Sequence, residues 1–354
     1  MNARLFQSGI ADKLEMAMKH IVLKSYCEGL AKPSDFALED APTPVPGEGE
    51  FLVRHIWASV DPGSRSRLSG RDSYTGALPL GETMGGFNVG VIETSENPDW
   101  PVGTQVTCAG GWATHSLQNG RGFLAKIPAG VDLPLSYWIG VLGVPGLTGW
   151  FGLNRVGEFK EGDRVLVTSA AGPVGATAGQ LAKAGGAEQV VGIAGTDEKC
   201  RWLVEEAGFD AAINYKTVGD LDAAISGHFP KGIDLLFDNV GNTMVDRCLP
   251  KMRPHGRVVN SGQVADYNLA PEERHGIKNT DVFITRRIKM QGLVVFDDAR
   301  GFPDALTTMA GMIAKGELKL KEERFDGLET MPEAFCGLFT GANFGRRVVK
   351  VGEE

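Results

Sequence analysis

The sequence predicts an α/β protein with a doubly wound parallel sheet and a second, β-rich domain. From about residue 140 onward, short and mostly β-branched runs alternate with helix-like segments. Such alternation is typical of a parallel sheet covered by helices on both faces. Between residues 21 and 130, alternating strands are bounded by Gly or Pro, which indicates a folded-over antiparallel sheet.

The same patterns predict the individual elements. In the β-rich part, "FLVRHIWASV", "NVGVIETS" and "TQVTCAG" each predict a strand. The strands predicted for the parallel sheet are 164–170, 189–195, 211–215, 233–240, 256–262 and 289–296, and the helices between them are 174–185, 197–208, 217–227 and 242–253. The segment 302–318 predicts one longer helix, and 345–351 predicts a last strand that could rejoin the first domain. Residues 11–20 could form a short amphipathic helix or a mobile lead-in, and we favour the lead-in.

The composition narrows the class of protein and of partner. The chain has 354 residues, 42% of them apolar and 23% charged, which is enough for two domains with a core each. Its net charge of −8 argues against a nucleic acid or an anionic membrane as partner, and no apolar stretch reaches the roughly 18 residues of a spanning helix. The five cysteines form no C-x-x-C pair, so we expect reduced thiols in a cytoplasmic protein and no cysteine-rich zinc site.

A turn of small residues stands between the first predicted strand and helix of the parallel sheet. In "VLVTSAAGPVG", Ala170, Gly172 and Gly175 form a relaxed A-x-G-x-x-G pattern. In a Rossmann-type βαβ unit, these positions let a pyrophosphate approach the backbone N–H groups at the helix N-terminus. Pro173 and Val174 then begin the helix, at a place that tolerates proline. A glycine-rich turn can also serve close packing alone, but the surrounding β/α alternation favours a bound dinucleotide.

The end of the next strand predicts which dinucleotide is bound. A fold selective for NAD places an acidic residue roughly twenty residues beyond the glycine turn, on the ribose 2′-hydroxyl. This chain has Gly195 and Thr196 there, with Lys199 just beyond. Because an ammonium group attracts a 2′-phosphate, the sequence favours NADPH/NADP+ as the cofactor. The alternative for Lys199 is a solvated surface lysine.

Several motifs in a fixed order carry a family resemblance. They are "SVDPGSRSRL", "PVGTQVTCAGGWATHS", "VGVPGLTGWFGL", "GTDEK", "FDAAINYKT", "FDNVGN" and "GANFGRRVVKV". In these motifs the chain resembles the zinc-independent medium-chain dehydrogenase/reductases, above all the prostaglandin reductases and the alkenal or phenylpropenone double-bond reductases. The resemblance runs from about residue 21 to residue 351. We therefore expect a GroES-like catalytic domain over 1–138, to which 309–354 returns, and a dinucleotide-binding domain over 139–308.

The resemblance also implies roles for individual residues. Lys199 and Tyr215 match positions that hold the adenosine 2′-phosphate, Asn239 matches a residue near the nicotinamide ribose, and Asn343 matches one that closes over the cofactor. Tyr267 matches the tyrosine near the substrate carbonyl, where a phenol can donate a hydrogen bond. From the residues alone, Tyr215 could be a packing aromatic and Asn239 a turn-forming residue. Tyr267 could equally be a tyrosine with its ring in the core and its hydroxyl in water.

The activity implied by the resemblance is NADPH-dependent reduction of the C=C bond of α,β-unsaturated ketones or aldehydes. Hydride would go to the β-carbon and a proton to the α-carbon without zinc, and the protein would be a homodimer. His55 and His115 stand alone in strand-like segments, which predicts no metal site. Gly63 stands where the family often has a pocket aromatic, so the substrate is less defined. A quinone reductase of the same fold and a non-enzymatic NADPH-binding protein remain as alternatives.

Overall fold

The computed structural model describes residues 17–71 and 76–354. Within them the chain divides into two compact units. The first unit contains the described residues up to Ile139 with the segments Arg324–Cys336 and Val348–Glu354, and the second contains Gly140–Glu323 and Gly337–Arg347. The C-terminal region therefore contributes to both units.

This division differs at the C-terminal end from the one expected. The sequence analysis assigned all of 309–354 to the first domain, whereas 309–323 and 337–347 group with the second unit. The long helix near residue 302 explains part of the difference, because the Phe302 ring packs against Phe151 of the second unit at 5.8 Å between ring centroids. The segment that returns to the first unit is therefore shorter than predicted.

The first unit is built on antiparallel strands. They are β1 Ala17–Leu23, β2 Phe36–Pro42, β3 Phe51–Ser59, β4 Asn88–Ser95, β5 Gln105–Cys108, β6 His115–Gln118 and β7 Leu124–Lys126. Strands β1 and β2 pair with each other. Strand β3 pairs with β4 and β6, β4 also pairs with β5, and β5 also pairs with β7. Each of these pairs is antiparallel, as the sequence predicted.

The second unit contains a parallel sheet of six strands. They are β8 Arg164–Val167, β9 Gln189–Ala194, β10 Ala211–Asn214, β11 Ile233–Asp238, β12 Met252–Asn260 and β13 Lys289–Gly292. Their spatial order is β10-β9-β8-β11-β12-β13, and every neighbouring pair is parallel. The strand order therefore reverses between β8 and β11, which is where doubly wound sheets bind ligands. The predicted Rossmann-type sheet is confirmed.

The described residues also contain eight α-helices and two further strands. The helices are α1 Val144–Phe151, α2 Pro173–Ala184, α3 Asp197–Glu205, α4 Leu221–His228, α5 Asn242–Cys248, α6 Asp281–Thr285, α7 Phe302–Ala314 and α8 Met331–Cys336. The strands are β14 Glu322–Asp326 and β15 Arg346–Lys350. Between Val348 and Lys350, β15 pairs antiparallel with β3. The predicted last strand thus rejoins the first unit.

Three helix ends differ from the prediction by four residues or more, each for a local reason. The helix predicted over 242–253 ends at Cys248, because Pro250 follows and β12 begins soon after it. Helix α4 begins only at Leu221, where the Asp220 carboxylate accepts the Ala223 N–H at 3.0 Å as an N-cap. Helix α7 ends at Ala314 and is followed by Gly316 with φ of 72°, a left-handed residue that stops a helix.

The N-terminal prediction is wrong where the structure describes it. Residues 17–20 form neither a helix nor a lead-in, because β1 pairs along its whole length with β2 and buries Ile21, Val22 and Leu23. Residues 11–16 of that segment lie outside the described residues. Within the described part of the chain, every helix is too short or too polar to cross a membrane.

Two apolar clusters cover opposite faces of the parallel sheet. Val165 and Val167 of β8 belong to one cluster, and Leu166 between them belongs to the other. Because successive strand residues point to opposite faces, all three side chains are buried. This double burial explains why the strands of this unit are continuous apolar runs rather than alternating ones.

Candidate nucleotide-binding site

The turn between β8 and α2 lies at the switch point of the parallel sheet. Ser169 has a positive φ of 49°, which is uncommon for a residue other than glycine. The Ala170 N–H donates to the Ile193 carbonyl at 3.0 Å, and the Gly172 N–H donates to the Ser169 carbonyl at 3.0 Å. The neighbouring strand and the turn itself therefore hold this backbone in its sparsely populated conformation.

Gly175 brings helix α2 into contact with this turn. A β-carbon at Gly175 would lie 2.8 Å from the Ser169 carbonyl oxygen and 2.9 Å from the Ala170 α-carbon, so only glycine fits. Ala170 itself is fully buried and is accommodated by Gly192 of β9, where a β-carbon would lie 2.9 Å from the Ala170 methyl group. The relaxed pattern therefore gives the close helix–turn crossing of a dinucleotide-binding unit.

The first backbone N–H groups of α2 lie next to the same turn, and they have no hydrogen-bond acceptor within the helix. Gly172 is the N-cap and Pro173, which has no N–H, is the first helical residue. The N–H groups of Val174 and Gly175 fall in the first turn, where a helix offers no acceptor. These donors and the helix dipole suit a phosphate, so the residues present fit the pyrophosphate of a dinucleotide.

Tyr215 lies across the end of β9. A β-carbon at Gly195 would be 3.1 Å from the Tyr215 ring and 3.4 Å from its hydroxyl oxygen. The Tyr215 N–H donates to the Ala194 carbonyl at 3.1 Å, which fixes the start of the side chain beside this strand end. With 46% of its surface exposed, Tyr215 is not the core packing aromatic considered as an alternative.

Lys199 is buried at the start of α3 rather than solvated. Thr196 caps this helix, and its hydroxyl accepts the Lys199 N–H at 3.2 Å. The Lys199 ammonium, on a residue 9% exposed, donates to the Gly341 carbonyl at 2.8 Å. Burial lowers the pKa of Lys199. The first acidic residue beyond β9 is Asp197, whose carboxylate accepts from the Asn214 amide at 2.6 Å.

The segment 341–345 crosses this site from the far end of the chain. The Gly345 N–H donates to the Ala171 carbonyl in the turn after β8, at 3.0 Å. The Phe344 ring meets the Trp202 ring of α3 edge-on at 5.7 Å between centroids. Asn343 lies between these contacts and its side-chain amide donates to the Gly345 carbonyl at 3.4 Å. The fold therefore brings Asn343 to the phosphate turn.

Asn239 and Tyr267 meet on the other side of β8, at the carboxyl ends of β11 and β12. A β-carbon at Gly262 would lie 3.3 Å from the Asn239 carbonyl oxygen and 3.7 Å from the Tyr267 hydroxyl oxygen. The Asn239 side-chain amide donates to the Thr168 carbonyl at 2.8 Å. The Tyr267 hydroxyl accepts the Gln263 N–H at 3.3 Å, a contact that uses an oxygen lone pair and not the O–H hydrogen.

Beneath this group, the Asp238 carboxylate is completely buried. It accepts the Thr168 hydroxyl at 2.6 Å and the Gly241 N–H at 2.8 Å. Burial raises the pKa of Asp238 to about 6, the hydrogen bonds act in the opposite direction, and the nearby Asp266 raises it further. Asp266 approaches the same glycine, since a β-carbon at Gly241 would lie 2.6 Å from an Asp266 carboxylate oxygen. Two carboxylates therefore flank Gly241, which has a φ of 126°.

Thr168 and Asp238 are two residues of this group that the sequence motifs do not predict. The Thr168 hydroxyl bonds to two successive residues at the end of β11. It donates to the Asp238 carboxylate and accepts the Asn239 N–H at 2.9 Å. A signal was present, because the acidic residue Asp238 closes the strand "IDLLFD" directly after its apolar run Leu235–Phe237. An acid at that place in a buried strand indicates a polar partner across the sheet.

His55 and His115, the two histidines that the sequence analysis considered as metal ligands, each have other polar partners in the structure. His55 is fully buried, with one ring nitrogen 2.7 Å from the Ala113 carbonyl and the other 2.8 Å from the Ser116 hydroxyl. Burial lowers the pKa of His55 to about 4. His115 lies 3.4 Å from Glu93. Among residues 17–71 and 76–354, no three His, Cys, Asp or Glu side chains are grouped so that they could hold a metal ion.

Comparisons with known proteins agree with this architecture. A family model described as the N-terminal domain of oxidoreductase matches residues 19–126, and one described as zinc-binding dehydrogenase matches residues 173–311. The chain is 38% identical to the NADP(+)-dependent 2-alkenal reductase of Nicotiana tabacum, over 96% of this chain and 99% of that protein. It belongs to the medium-chain dehydrogenase/reductase family.

Two further relatives place the chain within this family of oxidoreductases. The (+)-pulegone reductase of Mentha piperita is 38% identical over 95% of this chain and 99% of that protein. The crystal structure of CurA in complex with NADPH from Vibrio vulnificus is 33% identical and has a TM-score of 0.89, over 95% of this chain and 100% of that chain. The group of double-bond reductases recognised from the sequence motifs is therefore confirmed.

The structure gathers the predicted site residues into two sets on either side of β8. Those on the side of β9 and α2 are Ala170, Gly172, Pro173, Val174, Gly175, Gly195, Thr196, Lys199, Tyr215 and Asn343. Asn239 and Tyr267 form the other set, beside β11 and β12. Their roles toward cofactor and substrate stay predictions.

We predict that Asp238 makes stability depend on pH. Its pKa is raised to about 6 from an ordinary 3.8, so the folded state holds this proton more tightly than the unfolded state. The stability that results is present below pH 4 and is lost as the pH rises through 6, by about 3 kcal/mol. In urea unfolding, the stability difference between the natural chain and Asp238→Asn should shift by this amount between pH 4 and pH 7.

The matched control is Asp132→Asn, which changes an exposed carboxylate. We expect its pH profile to follow that of the natural chain. Parallel profiles for the natural chain and Asp238→Asn would contradict the assignment.

Proposed function

We propose that this protein reduces the C=C bond of α,β-unsaturated ketones or aldehydes with NADPH. The observation that carries the proposal is the pairing of Tyr267 and Asn239 at Gly262, next to a turn that fits a pyrophosphate. The activities named for the tobacco and peppermint relatives support it, as does the NADPH bound to CurA. Each of these proteins aligns with nearly the whole chain.

The residues beside β9 suit the cofactor's phosphates. The N–H groups of Val174 and Gly175 would hold the pyrophosphate, and Lys199 and Tyr215 would hold the adenosine 2′-phosphate. The absence of an acidic residue at the end of β9, where Ala194 and Gly195 stand, removes the group that would repel this phosphate. The preference for NADPH follows from these contacts.

Tyr267 is the proposed catalytic residue. When bound, NADPH supplies a hydride for the β-carbon of the enone. The carbonyl oxygen of the substrate then gains negative charge, and a fixed O–H donor stabilises that charge. The Gln263 N–H bond to the Tyr267 oxygen positions the phenol, and the phenol or water delivers the proton to the α-carbon. A ribose hydroxyl of the cofactor is the second possible donor at the carbonyl.

We propose further that this reaction uses no zinc. A conjugated C=C bond needs a hydrogen-bond donor at the carbonyl rather than a Lewis acid at an alkoxide. The residues also do not fit a zinc site, because both ring nitrogens of His55 are engaged with Ala113 and Ser116. The dehydrogenase model that matches residues 173–311 thus describes the family more widely than this site.

We propose a homodimer and a cytoplasmic location. Strand β13 ends the parallel sheet and pairs only with β12 among the described residues. Close to it in the sequence, Ile284 is 80% exposed, and Val294 and Phe296 are also exposed. A strand edge that is unpaired among the described residues and exposed apolar side chains from the adjoining segments suit a second copy of the chain. Sedimentation velocity should give twice the mass of 37.8 kDa, and Ile284→Glu should shift the species toward the monomer; a natural chain that sediments as a monomer would refute the dimer.

The activity itself is tested by following NADPH and NADH oxidation against four substrates. We expect rapid NADPH consumption with an aryl enone and an aliphatic alkenal, saturated carbonyl products, and little reaction with a quinone or a saturated ketone. Turnover of the quinone alone would identify a quinone reductase instead. Tight NADPH binding without any turnover would indicate a cofactor-binding protein.

We predict that Tyr267→Phe lowers kcat with an enone by at least about tenfold, because the donor at the carbonyl oxygen is lost. The dissociation constant for NADP+ should stay unchanged, and the unfolding midpoint should fall only slightly, because the Gln263 N–H loses a long hydrogen bond. Tyr26→Phe is the matched control, since it removes a phenol from an exposed side chain of the first unit. An unchanged kcat in Tyr267→Phe would assign the carbonyl donor to another group.

A further inference from the structure

Lys216 reaches the place where the Lys199 ammonium ends. Its own ammonium nitrogen lies 3.8 Å from the position of a β-carbon at Gly341, whose carbonyl oxygen is 2.8 Å from the Lys199 ammonium. Its side chain also passes within 3.5 Å of the position of a β-carbon at Gly195. Lys216 thus extends beside the Tyr215 ring, with its ammonium 5.9 Å from the ring centroid. Two lysines from different strand ends converge on one glycine.

The positive charges at this place are only partly offset by carboxylates. Lys216 is exposed and makes no hydrogen bond or ion pair with a carboxylate in the described part of the chain. The third cation nearby, Arg347, is paired with Glu323 at 2.7 Å, and Asp197 is engaged by Asn214. Repulsion from Lys216 and Arg347 adds to burial in lowering the pKa of Lys199, while Glu323 and Glu198 act in the opposite direction. A dianion would relieve this repulsion.

The Lys199 ammonium has a hydrogen-bond acceptor in the Gly341 carbonyl, whereas the Lys216 ammonium has none among the described residues. One of its three ammonium donors is spent on the Gly341 carbonyl, and that contact holds the segment carrying Asn343. Among residues 17–71 and 76–354, no hydrogen-bond acceptor engages the Lys216 ammonium, and its side chain is exposed. The two lysines are therefore suited to different tasks.

We propose that Lys216 is a second cation for the adenosine 2′-phosphate and a determinant of the preference for NADPH over NADH, whereas Lys199 also positions the segment 341–345. This inference rests on the proposed function and names a residue that neither the sequence motifs nor the comparisons assign. Its chemistry is that of two ammonium groups on one phosphate dianion, with the Tyr215 ring and Gly195 beside the adenosine.

The test measures binding to the full-length chain by calorimetry, with adenosine 2′,5′-bisphosphate and 5′-AMP as probes. Lys216→Gln should weaken the bisphosphate about tenfold and leave 5′-AMP unchanged, because one charge-assisted contact to the 2′-phosphate is lost. Lys216→Arg should keep most of the affinity. The matched control is Lys231→Gln, a lysine 75% exposed in its side chain and paired with Glu188.

Hydrogen exchange separates the two lysines. Lys199→Gln should speed exchange of the Gly345 N–H, which bonds to the turn at Ala171, whereas Lys216→Gln should not. If the natural chain does not distinguish the two probes, the proposed NADPH preference fails. If it does and Lys216→Gln keeps the same ratio of dissociation constants, the role of Lys216 is refuted while the function stands.

Discussion

The hydrogen bond between the Thr168 hydroxyl and the buried Asp238 carboxylate joins the two halves of the candidate site. Thr168 follows β8, and Asp238 ends β11, so this 2.6 Å contact spans the point where the strand order reverses. Asn239 adds two hydrogen bonds between the ends of β8 and β11, because its backbone N–H and its side-chain amide both donate to Thr168. The side of the sheet that fits phosphates and the side that carries Tyr267 therefore keep a fixed relation within the second unit. A buried carboxylate is costly, and its hydrogen bonds are what make it tolerable at this position.

The phosphate turn depends on where small residues stand rather than on how many glycines it has. Gly175 is required by the backbone of Ser169 and Ala170, whereas Ala170 is accepted because Gly192 opposite it has no side chain. The pattern lacks a glycine at position 170, and the space that the Ala170 methyl group needs is provided by Gly192 on the neighbouring strand β9. This compensation explains why a relaxed motif, weak when taken alone, still forms the close crossing that a dinucleotide needs.

The alternation of apolar runs and helices was sufficient to predict the parallel sheet, since both of its faces are covered and its strands are uniformly apolar. Candidate site residues follow from the sequence only where one motif supplies them, as at Gly172, Gly175 and Lys199, and the roles of these residues stay predictions. Thr168 and Asp238 are 70 residues apart, and their bond follows from strand order, which local patterns do not contain. The start of β1 was missed for a similar reason, because residues 17–20 become a strand only by pairing with β2.

The C-terminal segment shows how such long-range contacts shape the candidate site. Lys199 and Gly341 are 142 residues apart, and their contact ties the start of α3 to the backbone before Asn343. Gly345 completes the arrangement by bonding to the phosphate turn itself. A phosphate that draws on the Lys199 ammonium therefore acts on the same residues that place Asn343. Under the proposed role of Lys216, which approaches the same glycine, two lysines would share the charge of the phosphate while Lys199 alone would hold the segment 341–345.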